Sequence, residues 1–421
     1  MTNLRTFATM AALAASARAS AAQQPNASAA AFSMAGNFMG LATGSDAVAW
    51  NPAMLGMHSP AFTLNLFSGG GMTGLDPVKL TEITDFGGQV IPTATKEAWL
   101  QRLGSGRERG SLDGGVSVIA LSVGRIGVQL GASGTVVANI NQDAAEAILF
   151  GNAGRTRTAK NLAFNGSNAS GSTFITGAAS VAIPLPFAPT GRMGEQFSLG
   201  ITGKYVRGIA TGRAQDAGSL VTPDNIAVSF PAIYTDSAHL GNAGSGAGLD
   251  VGLAWTDGAT TIGATARNVV NTFAWSTTAL KSRPGTVTFD GVSFKTTFDE
   301  APYASAPATM RAALEAEKFK PEIAAGFAHR MTRLTVTADA STRIGDGIEI
   351  GSKMHVGVGA ELRVIPLVPL RAGVAAVSQG FQVAGGAGLN IGPVEFGFGM
   401  SMRSTNNGTE YGGMITVFSI R

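Results

Sequence analysis

The sequence predicts an all-β fold, an antiparallel transmembrane β-barrel of about 14 strands with an N-terminal hatch segment in its lumen and short helices in its long loops. Three observations carry this prediction. Apolar and polar residues alternate in successive segments, the fraction of charged residues is low, and short and long connections alternate between the segments.

The alternation is clearest in Lys353–Arg403, which has the pattern of four successive strands. Every second residue of the first strand, from Met354 to Val364, is apolar. The residues between them are His355, Gly357, Gly359, Glu361 and Arg363. A period of two gives a strand one apolar face and one polar face, and such strands joined by tight turns form an antiparallel meander.

Composition indicates that the apolar face meets lipid rather than a protein core. Only 14% of the 421 residues are charged, whereas soluble domains carry about 25%. The sequence also lacks an apolar run of the roughly 20 residues that a membrane-spanning helix needs. Low charge without such a run is typical of a barrel, whose strands distribute their hydrophobicity in alternation.

The N-terminus predicts export. Residues 1–22 have the pattern of a secretory signal peptide, with Arg5 before the apolar stretch Phe7–Ala17 and an Ala19-Ser20-Ala21 cleavage site. Together with the two-faced strands and the low charge, this signal predicts a location in the bacterial outer membrane, whose lipid would surround the barrel. The chain has no cysteine, which excludes thiol catalysis, disulfides and cysteine zinc sites.

The mature chain divides into two parts. Residues 23–58 are predicted to form a hatch or plug, because Ala27–Met57 is rich in Gly, Ala, Ser and Met, and its Pro and Gly residues favour an irregular or partly helical segment. Residues 59–421 are predicted to form the barrel.

Fifteen segments have the pattern of strands. They are 60–68, 114–123, 126–139, 172–184, 195–209, 225–235, 247–256, 259–270, 321–330, 333–343, 353–365, 368–377, 380–391, 393–403 and 410–420. Most are near the 9–11 residues that a tilted strand needs to cross a bilayer. Because single-chain bacterial barrels have even strand numbers, we expect about 14 strands and one wrongly assigned segment.

The connections between these segments differ in length. The short ones contain Gly124-Arg125, Asp257-Gly258, Met331-Thr332 and Ser378-Gln379, and the long ones lie at about 69–112, 140–170, 210–224 and 271–320. Short turns on one rim and long loops on the other are typical of outer-membrane barrels. Within the long loops we predict helices at Lys96–Leu103, Gln142–Phe150 and Ala308–Lys318, and an extra hairpin at Gly285–Phe298.

The stretch from Ala35-Gly36 to Trp50-Asn51-Pro52-Ala53-Met54-Leu55 resembles the N-terminal signature of the long-chain fatty-acid transporter (FadL) superfamily, which includes PorV-like and TraF-like proteins. Gly248–Leu253 and Phe197–Tyr205 agree with strands of that group. The resemblance implies a barrel whose N-terminal segment folds into the lumen as a hatch. The chain departs from the pattern at Met54, where relatives often have Gly, and at Phe418, which is not the last residue.

Four residues of the signature are candidates for the hatch or its gating: Asp46, Trp50, Asn51 and Pro52. Movement of Asn51-Pro52 would open a path through the lumen. The alternative is a structural turn, because Asn tolerates unusual backbone dihedrals and Pro fixes the next φ.

Seven charged residues lie opposite the apolar residues of their strands and are therefore predicted to face the lumen. They are Asp250, Arg267, Asp339, Glu361, Arg363, Arg371 and Glu395. In a wet interior such charges can form ladders that bind a hatch. The alternative is an ion network that only stabilises the lumen.

No catalytic residue, metal site or cofactor is predicted. The chain lacks a Gly-x-Ser-x-Gly elbow, no Gly-Lys-Ser/Thr follows Ser68–Gly71, and its four histidines lie far apart. With a net charge of +3 and no Lys/Arg cluster, we predict no nucleic-acid partner.

Two functional hypotheses remain, and both follow from the resemblance. The first is passive transport of hydrophobic, fatty-acid-like small molecules through a hatch-gated lumen, without an enzymatic step. The second is a non-transport scaffold or accessory subunit with a secretion-system or conjugation-system partner. A third hypothesis is a soluble, secreted β-sandwich adhesin, which would be extracted without detergent.

Overall fold

The structure is a computed structural model that describes most of the chain. The described residues are 28–57, 60–104, 106–151, 155, 160–186, 191, 194–222, 224–289, 292–348, 350–406 and 408–420. The predicted signal peptide at 1–22 lies outside them, as do residues 23–27 and 58 of the predicted hatch segment.

Fourteen long strands form one closed antiparallel barrel. They are β1 (Phe62–Asp76), β2 (Arg107–Val123), β3 (Ile126–Asn141), β4 (Asn168–Leu185), β5 (Gln196–Gln215), β6 (Gly244–Thr256), β7 (Thr260–Asn271), β8 (Glu322–Arg330), β9 (Leu334–Arg343), β10 (Met354–Ile365), β11 (Val368–Val377), β12 (Gly380–Ile391), β13 (Val394–Thr405) and β14 (Gly408–Ile420). Each pairs with its neighbour in sequence, and β14 pairs with β1. The predicted antiparallel barrel of about 14 strands is confirmed.

The wrongly assigned segment is 225–235. It is not a barrel strand but two short strands, Ile226–Ser229 and Ala232–Thr235, separated by Phe230 and Pro231. Pro has no N–H to donate to a strand ladder, so it divides the segment. Ile226–Ser229 joins a small separate sheet, whereas Ala232–Thr235 pairs with the end of β5.

Several barrel strands are longer than predicted. The sequence placed a loop from residue 69, yet β1 continues through Gly69-Gly70-Gly71 to Asp76, paired on both sides with β2 and β14. β5 likewise continues to Gln215. Glycine has low strand propensity, but two-sided backbone pairing overrides it here.

The barrel has a short-turn rim and a long-loop rim. The first contains Gly124-Arg125 and residues 257–259, 331–333, 366–367 and 392–393, and both β1 and β14 have their outer ends there. The second contains the loops 77–106, 142–167, 216–243, 272–321 and 344–353. The expectation that every short turn lies on one rim is wrong for Ser378-Gln379, which joins β11 to β12 on the long-loop rim.

Short helices lie in the N-terminal segment and in the long loops. They are α1 (Ala29–Ser33), α2 (Ala47–Trp50), α3 (Leu80–Thr84), α4 (Thr93–Leu103), α5 (Gln142–Phe150) and α6 (Ala308–Glu315), with 3-10 turns at Gly44–Asp46, Pro52–Gly56, Ser237–His239, Thr277–Ala279 and Tyr303–Ser305. The predicted α5 has its predicted bounds, α4 begins three residues earlier than predicted and α6 ends three residues earlier. No helix in the described part of the chain is long and apolar enough to cross a membrane.

The remaining strands are short and lie in the long loops. They are Leu162–Ala163, Leu220–Val221, Ile226–Ser229, Ala232–Thr235, Ala274–Trp275, Leu280–Arg283, Thr286–Phe289, Phe294–Thr297 and Ala301–Pro302. Thr286–Phe289 and Phe294–Thr297 pair as the predicted extra hairpin.

The barrel exterior is apolar. On β10, Val356, Val358 and Val364 are 51%, 54% and 58% exposed, whereas Glu361 on the other face is 8% exposed. The alternation in the sequence therefore separates a lipid-facing surface from a lumen surface.

Because Val358 lies near the middle of β10 and Val364 near its short-turn end, arginine should be tolerated differently at the two positions. We expect Val358→Arg to lower the free energy of unfolding in lipid vesicles by about 2–4 kcal/mol and Val364→Arg by about 0–1 kcal/mol. Guanidinium titration of the refolded barrels measures both. Equal losses would contradict a lipid-facing position for Val358.

Candidate functional site in the barrel lumen

The N-terminal segment lies inside the barrel. We call Ser28–Met57 the plug; almost all its residues are buried. It is attached to the two strands that close the barrel, since the Ala29 N–H donates to Thr416 Oγ1 of β14 at 3.1 Å and the Ser45 N–H to Thr63 Oγ1 of β1 at 2.7 Å. Both of these contacts lie at the seam where β14 pairs with β1.

Glycines on the inner face of β11–β13 make room for α1 and the turn after it. A Cβ atom at Gly373 would collide with the backbone of Met34, and one at Gly386 or Gly399 would collide with Ser33 Oγ. The glycines that alternate with apolar residues in the sequence are thus places where the plug touches the wall backbone directly.

Asn37 connects the plug to three strands. It is fully buried, its Nδ2 donates to the carbonyls of Met34 at 2.8 Å and Val358 at 3.1 Å, and its Oδ1 lies 3.0 Å from His355 Nε2. The Thr337 hydroxyl donates to the Asn37 carbonyl at 2.9 Å. An amide uses both its donor and acceptor functions here, so it fixes the plug in one orientation.

Asp339 on β9 holds the next turn. Its Oδ2 accepts the backbone N–H groups of Phe38 at 2.5 Å and Met39 at 2.8 Å. Bonds from N–H groups to a carboxylate are among the stronger hydrogen bonds in proteins. The predicted lumen-facing residue Asp339 is therefore a direct link between wall and plug.

Asn51 inserts into a gap between β6 and β7. Its Nδ2 donates to the carbonyls of Leu253 at 2.9 Å and Ala264 at 3.4 Å, and its Oδ1 accepts from the Ala53 N–H at 3.1 Å. A Cβ atom at Gly252 would collide with Asn51 Oδ1. The Asn51 side chain therefore has two roles: it caps the turn that follows, and it binds the plug to the wall.

Pro52 begins the 3-10 turn that follows, at the position where a missing N–H costs nothing. It lies against β5, where a Cβ atom at Gly200 would collide with the Pro52 carbonyl carbon. Asp46 is 4% exposed and precedes α2.

Trp50 lies between the plug interior and the wall. Its ring packs edge-on against Phe38, with ring centroids 5.8 Å apart, and the Arg267 guanidinium lies over its other side at 5.8 Å from the centroid. Arg267 Nη2 also donates to the Trp50 carbonyl at 3.4 Å, and Arg267 Nη1 donates to Glu322 Oε1 at 2.7 Å.

Lys204 and Asp250 form a second buried ion pair, beside that of Arg267 and Glu322. Lys204 Nζ is 2.6 Å from Asp250 Oδ1, and the two side chains are 1% and 3% exposed. Asn268 joins the pair: its N–H donates to Asp250 at 2.7 Å and its Oδ1 accepts from Lys204 at 2.7 Å. Asn268 has a φ of 50° at a bulge between β6 and β7, a conformation that Asn tolerates better than most residues.

The other four predicted lumen residues form one chain near the short-turn rim. Glu361 accepts from Arg363 Nε and from Arg371 Nε, both at 2.7 Å, and Arg371 Nη2 donates to Glu395 at 2.7 Å. Arg371 is buried, whereas the Arg363 side chain is 49% exposed at the rim.

Sequence reasoning missed several residues of the lumen. Lys204 and Glu322 lie opposite the outward-facing apolar residues of their strands, so the same parity rule would have found them. Arg403, which binds Asp113 across the seam where β14 meets β1, would have needed the barrel register. Asn37 lies in irregular chain and gave no periodic signal.

Two cavities flank the plug. The one on the long-loop side has a volume of about 130 Å³, and its lining includes Phe32, Met39, Trp50, Met72, Arg267 and Met414. The one on the short-turn side has a volume of about 700 Å³, and its lining includes Phe38, Leu41, Met54, Met57, Arg330 and Arg363.

A lid covers the long-loop side. The described residues of 272–321 fold inward onto β4 and β5, where Phe174, Phe273 and Phe319 pack with ring centroids 5.0–5.5 Å apart. Burial raises the pKa of Tyr303 to about 12, and its hydroxyl donates to Glu315 at 2.9 Å. Aromatic packing and this hydrogen bond hold the lid in place on the long-loop side.

The residues that the structure describes include no group of three or more His, Asp or Glu side chains that could hold a metal ion. The charged groups of the lumen instead bind one another and the plug.

Solved structures of hydrocarbon channels superpose on this chain. The toluene transporter TbuX of Ralstonia pickettii has a TM-score of 0.51 at 12% identity, over 95% of this chain and 99% of that one. The monoaromatic hydrocarbon channel CymD has a TM-score of 0.53 at 11% identity, over 94% and 97%. A deltaS2 mutant of the monoaromatic hydrocarbon channel TodX has a TM-score of 0.50 at 12% identity, over 94% and 98%.

The chain has the fold of these channels. This confirms the fold that the resemblance to the FadL superfamily implied. No protein-family model and no curated protein matches the sequence. At such low identity the likeness is one of architecture.

The Asn51 contacts predict that Gly252→Ala loosens the plug, because the new methyl group displaces a side chain with two buried backbone partners. Each such bond left unmade costs about 1–3 kcal/mol. The chain has no cysteine, so Ala47→Cys, at a position that is 0% exposed, provides a single thiol. We expect maleimide labelling of this thiol to be about tenfold faster in the Gly252→Ala background.

Gly203→Ala is the matched control, because a Cβ atom at Gly203 meets nothing within 4 Å. Equal labelling rates in the Gly252→Ala and Gly203→Ala backgrounds would show that Asn51 does not hold the plug.

Proposed function

We propose that the protein conducts small hydrophobic molecules passively across the bacterial outer membrane, through a lumen that the plug gates. The observation that carries the proposal is the cavity of about 130 Å³ on the long-loop side of the plug. The names of the superposing structures, a toluene transporter and two monoaromatic hydrocarbon channels, support it.

The cavity volume favours a one-ring molecule over a long acyl chain. An apolar protein cavity of about 150 Å³ holds benzene. The cavity here is of similar size, and its lining combines apolar side chains with the polar side chains of Glu322, His355 and Arg403. Phe32, Met39, Met72 and Met414 provide apolar and polarisable contacts. An extended fatty acid is several times larger than this space, so we propose toluene-sized cargo.

The plug must move for cargo to pass, and its hydrogen bonds to the wall oppose that movement. Asp339 holds Phe38 and Met39, and Asn37 holds the turn before them. Charged hydrogen bonds contribute about 1.5–3 kcal/mol each. Thermal fluctuations occasionally supply the free energy needed to break these hydrogen bonds. The plug is therefore a gate that opens rarely and not a permanent seal.

Uptake of labelled toluene by cells that produce the protein, compared with cells that lack it, tests the proposal. A reversible disulfide between the plug and the wall makes the test specific to the plug. A Cβ atom at Gly397 would lie 2.9 Å from the Ala29 Cβ. This is about 1 Å shorter than the mean separation in a disulfide, so the bridge forms after α1 moves outward by that amount. We expect the oxidised Ala29→Cys/Gly397→Cys variant to lose uptake and dithiothreitol to restore it.

Each single-cysteine variant is the control, because neither can form the disulfide. Equal uptake by producing and lacking cells for toluene and for all other apolar solutes would overturn transport. Undiminished uptake by the oxidised double variant would overturn gating by the plug while leaving transport in place.

Asp339→Asn tests whether the hydrogen bonds from Phe38 and Met39 to Asp339 hold the plug closed. The amide is neutral and accepts more weakly, so each of the two bonds from the plug loses about 1 kcal/mol. The two losses amount to about 2 kcal/mol, so we expect toluene uptake and Ala47→Cys labelling to increase about thirtyfold. Asp346→Asn is the matched control, because Asp346 lies in a loop with its side chain 88% exposed and pairs only with Lys353 among described residues. Unchanged rates of uptake and labelling in Asp339→Asn would show that these hydrogen bonds do not hold the plug closed.

One observation favours the second hypothesis, an accessory subunit with a protein partner. On the long-loop side, the hairpin Thr286–Thr297 exposes Val292 and Phe294, 92% and 65% accessible, and Phe294–Thr297 forms the edge of its sheet. An apolar sheet edge is a common place for another chain to pair. Pull-down from detergent extracts distinguishes the two, since a stoichiometric partner supports the accessory role and a lone barrel argues against it.

A further inference from the structure

Three buried polar side chains meet on the inner face of the wall. Lys204 on β5 is 5% exposed, Asp250 on β6 is 2% exposed and Asn268 on β7 is 3% exposed. Lys204 Nζ lies 2.6 Å from Asp250 Oδ1 and 2.7 Å from Asn268 Oδ1. We call these residues the Lys–Asp–Asn triad. It brings an amine, a carboxyl group and a primary amide together in a site that excludes bulk water.

The backbone fixes the triad. The ladder between β6 and β7 has a bulge between Leu249 and Val251, opposite Asn268. Asn268 adopts a φ of 50° there, and its backbone N–H donates to Asp250 Oδ1 at 2.7 Å. Bulges re-aim side chains, and this one turns the Asn268 amide towards the Lys204 amine.

The amine is close to the amide carbon. Because a C=O bond is about 1.2 Å long, the 2.7 Å from Lys204 Nζ to Asn268 Oδ1 places the Asn268 Cγ at most about 3.9 Å from the amine. Reacting atoms about 3–3.5 Å apart are in a near-attack arrangement. A small rotation of the Asn268 side chain reaches that separation.

We propose that Lys204 and Asn268 form an intramolecular isopeptide bond, with Asp250 as the proton carrier. Asp250 takes one proton from the Lys204 ammonium, and the lone pair of the resulting amine forms a bond to the Asn268 Cγ. The Cγ–Nδ2 bond then breaks, and its electron pair leaves with the nitrogen. Asp250 passes a proton from the attacking nitrogen to the leaving one, which departs as ammonia.

The protons and charges of this reaction balance. The ammonium brings three protons and the amide nitrogen two; the new amide keeps one, ammonia takes three and Asp250 keeps one. No oxidation state changes. The product has no charge on Lys204 or Asp250, so the cost of keeping two charges buried disappears. Escape of ammonia into water then prevents the reverse reaction.

The bond would join β5 to β7 across β6. These three strands are also the ones that contact Asn51 and Pro52, since Asn51 donates to carbonyls of β6 and β7, and Pro52 lies against Gly200 of β5. A covalent link would therefore fix the part of the wall that receives this turn of the plug. The inference goes beyond the passage of hydrophobic molecules and does not depend on it.

Peptide mapping of the protein extracted from outer membranes tests the proposal. Trypsin does not cleave after a lysine whose amine is acylated, so the bond leaves residues 193–207 in one piece and links them to residues 268–281. We expect this linked pair as the main form, with a mass one ammonia below the sum of the two peptides. Separate peptides only, with cleavage after Lys204, would overturn the proposal. A link from residues 193–207 to residues 214–267 with loss of water would overturn Asn268 as the acceptor, because Asp250 would then be the acylating group.

Two variants test the roles within the triad. Asn268→Gly removes the amide but keeps the bulge, because glycine adopts a positive φ without strain. Asp250→Ala removes the proton carrier. We expect the linked peptides to be lost in both variants, with heat-modifiable migration on a gel showing that each barrel is folded. Linked peptides that persist in either variant would overturn the role assigned to that residue, and the map of the unaltered protein tests the bond even if a variant does not fold.

Asn271→Ala is the matched control on the same strand, because the Asn271 side-chain oxygen accepts from the Phe273 N–H at 3.0 Å. We expect its linked peptides to remain, and their loss would overturn Asn268 as the acceptor.

Lys160 is a control within the same digest. Its Nζ lies 2.7 Å from Glu146, but its side chain is 43% exposed and solvated by water. We expect no link at Lys160; a link there as well would overturn a site-specific reaction. The chain unfolded in urea from inclusion bodies should also lack the bond and gain it after refolding, and a bond already present in the never-folded chain would overturn the requirement for the triad.

Discussion

Lipid offers the polypeptide backbone no hydrogen-bond partners, and this constraint determines most of the structure. Every strand of the barrel must pair on both sides, which is why β14 pairs with β1 and why the glycine run of β1 is still a strand. Closure in turn forces one face of each strand outward and the other inward. The alternation of apolar and polar residues follows from that geometry.

The inward face then needs its own partners. Three ion pairs join neighbouring strands: Lys204 with Asp250, Arg267 with Glu322, and Arg371 with Glu361. Arg371 also reaches Glu395, two strands away. Buried ion pairs contribute little net stability, but loss of one partner leaves a costly unpaired charge. Their main effect is positional, because they fix the groups that surround the plug. Asp339 differs from them, since its partners are N–H groups of the plug itself.

The period of two in Lys353–Arg403 was sufficient to predict which residues of β10–β13 face the lumen, because parity is a local property. The same rule gave a wrong barrel strand at 225–235, because Pro231 interrupts the strand there. The meeting of Asn37 with His355 could not be predicted, because it depends on how an irregular segment lies across a closed barrel. The lid cluster joins Phe174 to Phe319, and such distant contacts leave no periodic signal in the sequence.

Glycine allows the plug to lie directly against the barrel wall. At Gly373 the wall meets the backbone of Met34, and at Gly386 and Gly399 it meets the Ser33 side chain, so the bare strand backbone is the surface on which this part of the plug lies. Directional bonds then hold the plug in place, from Asn37 and Asn51 to wall carbonyls and from two plug N–H groups to Asp339. Backbone contact at the glycines and directional bonds at a few side chains together fix the plug in its position across β6–β13.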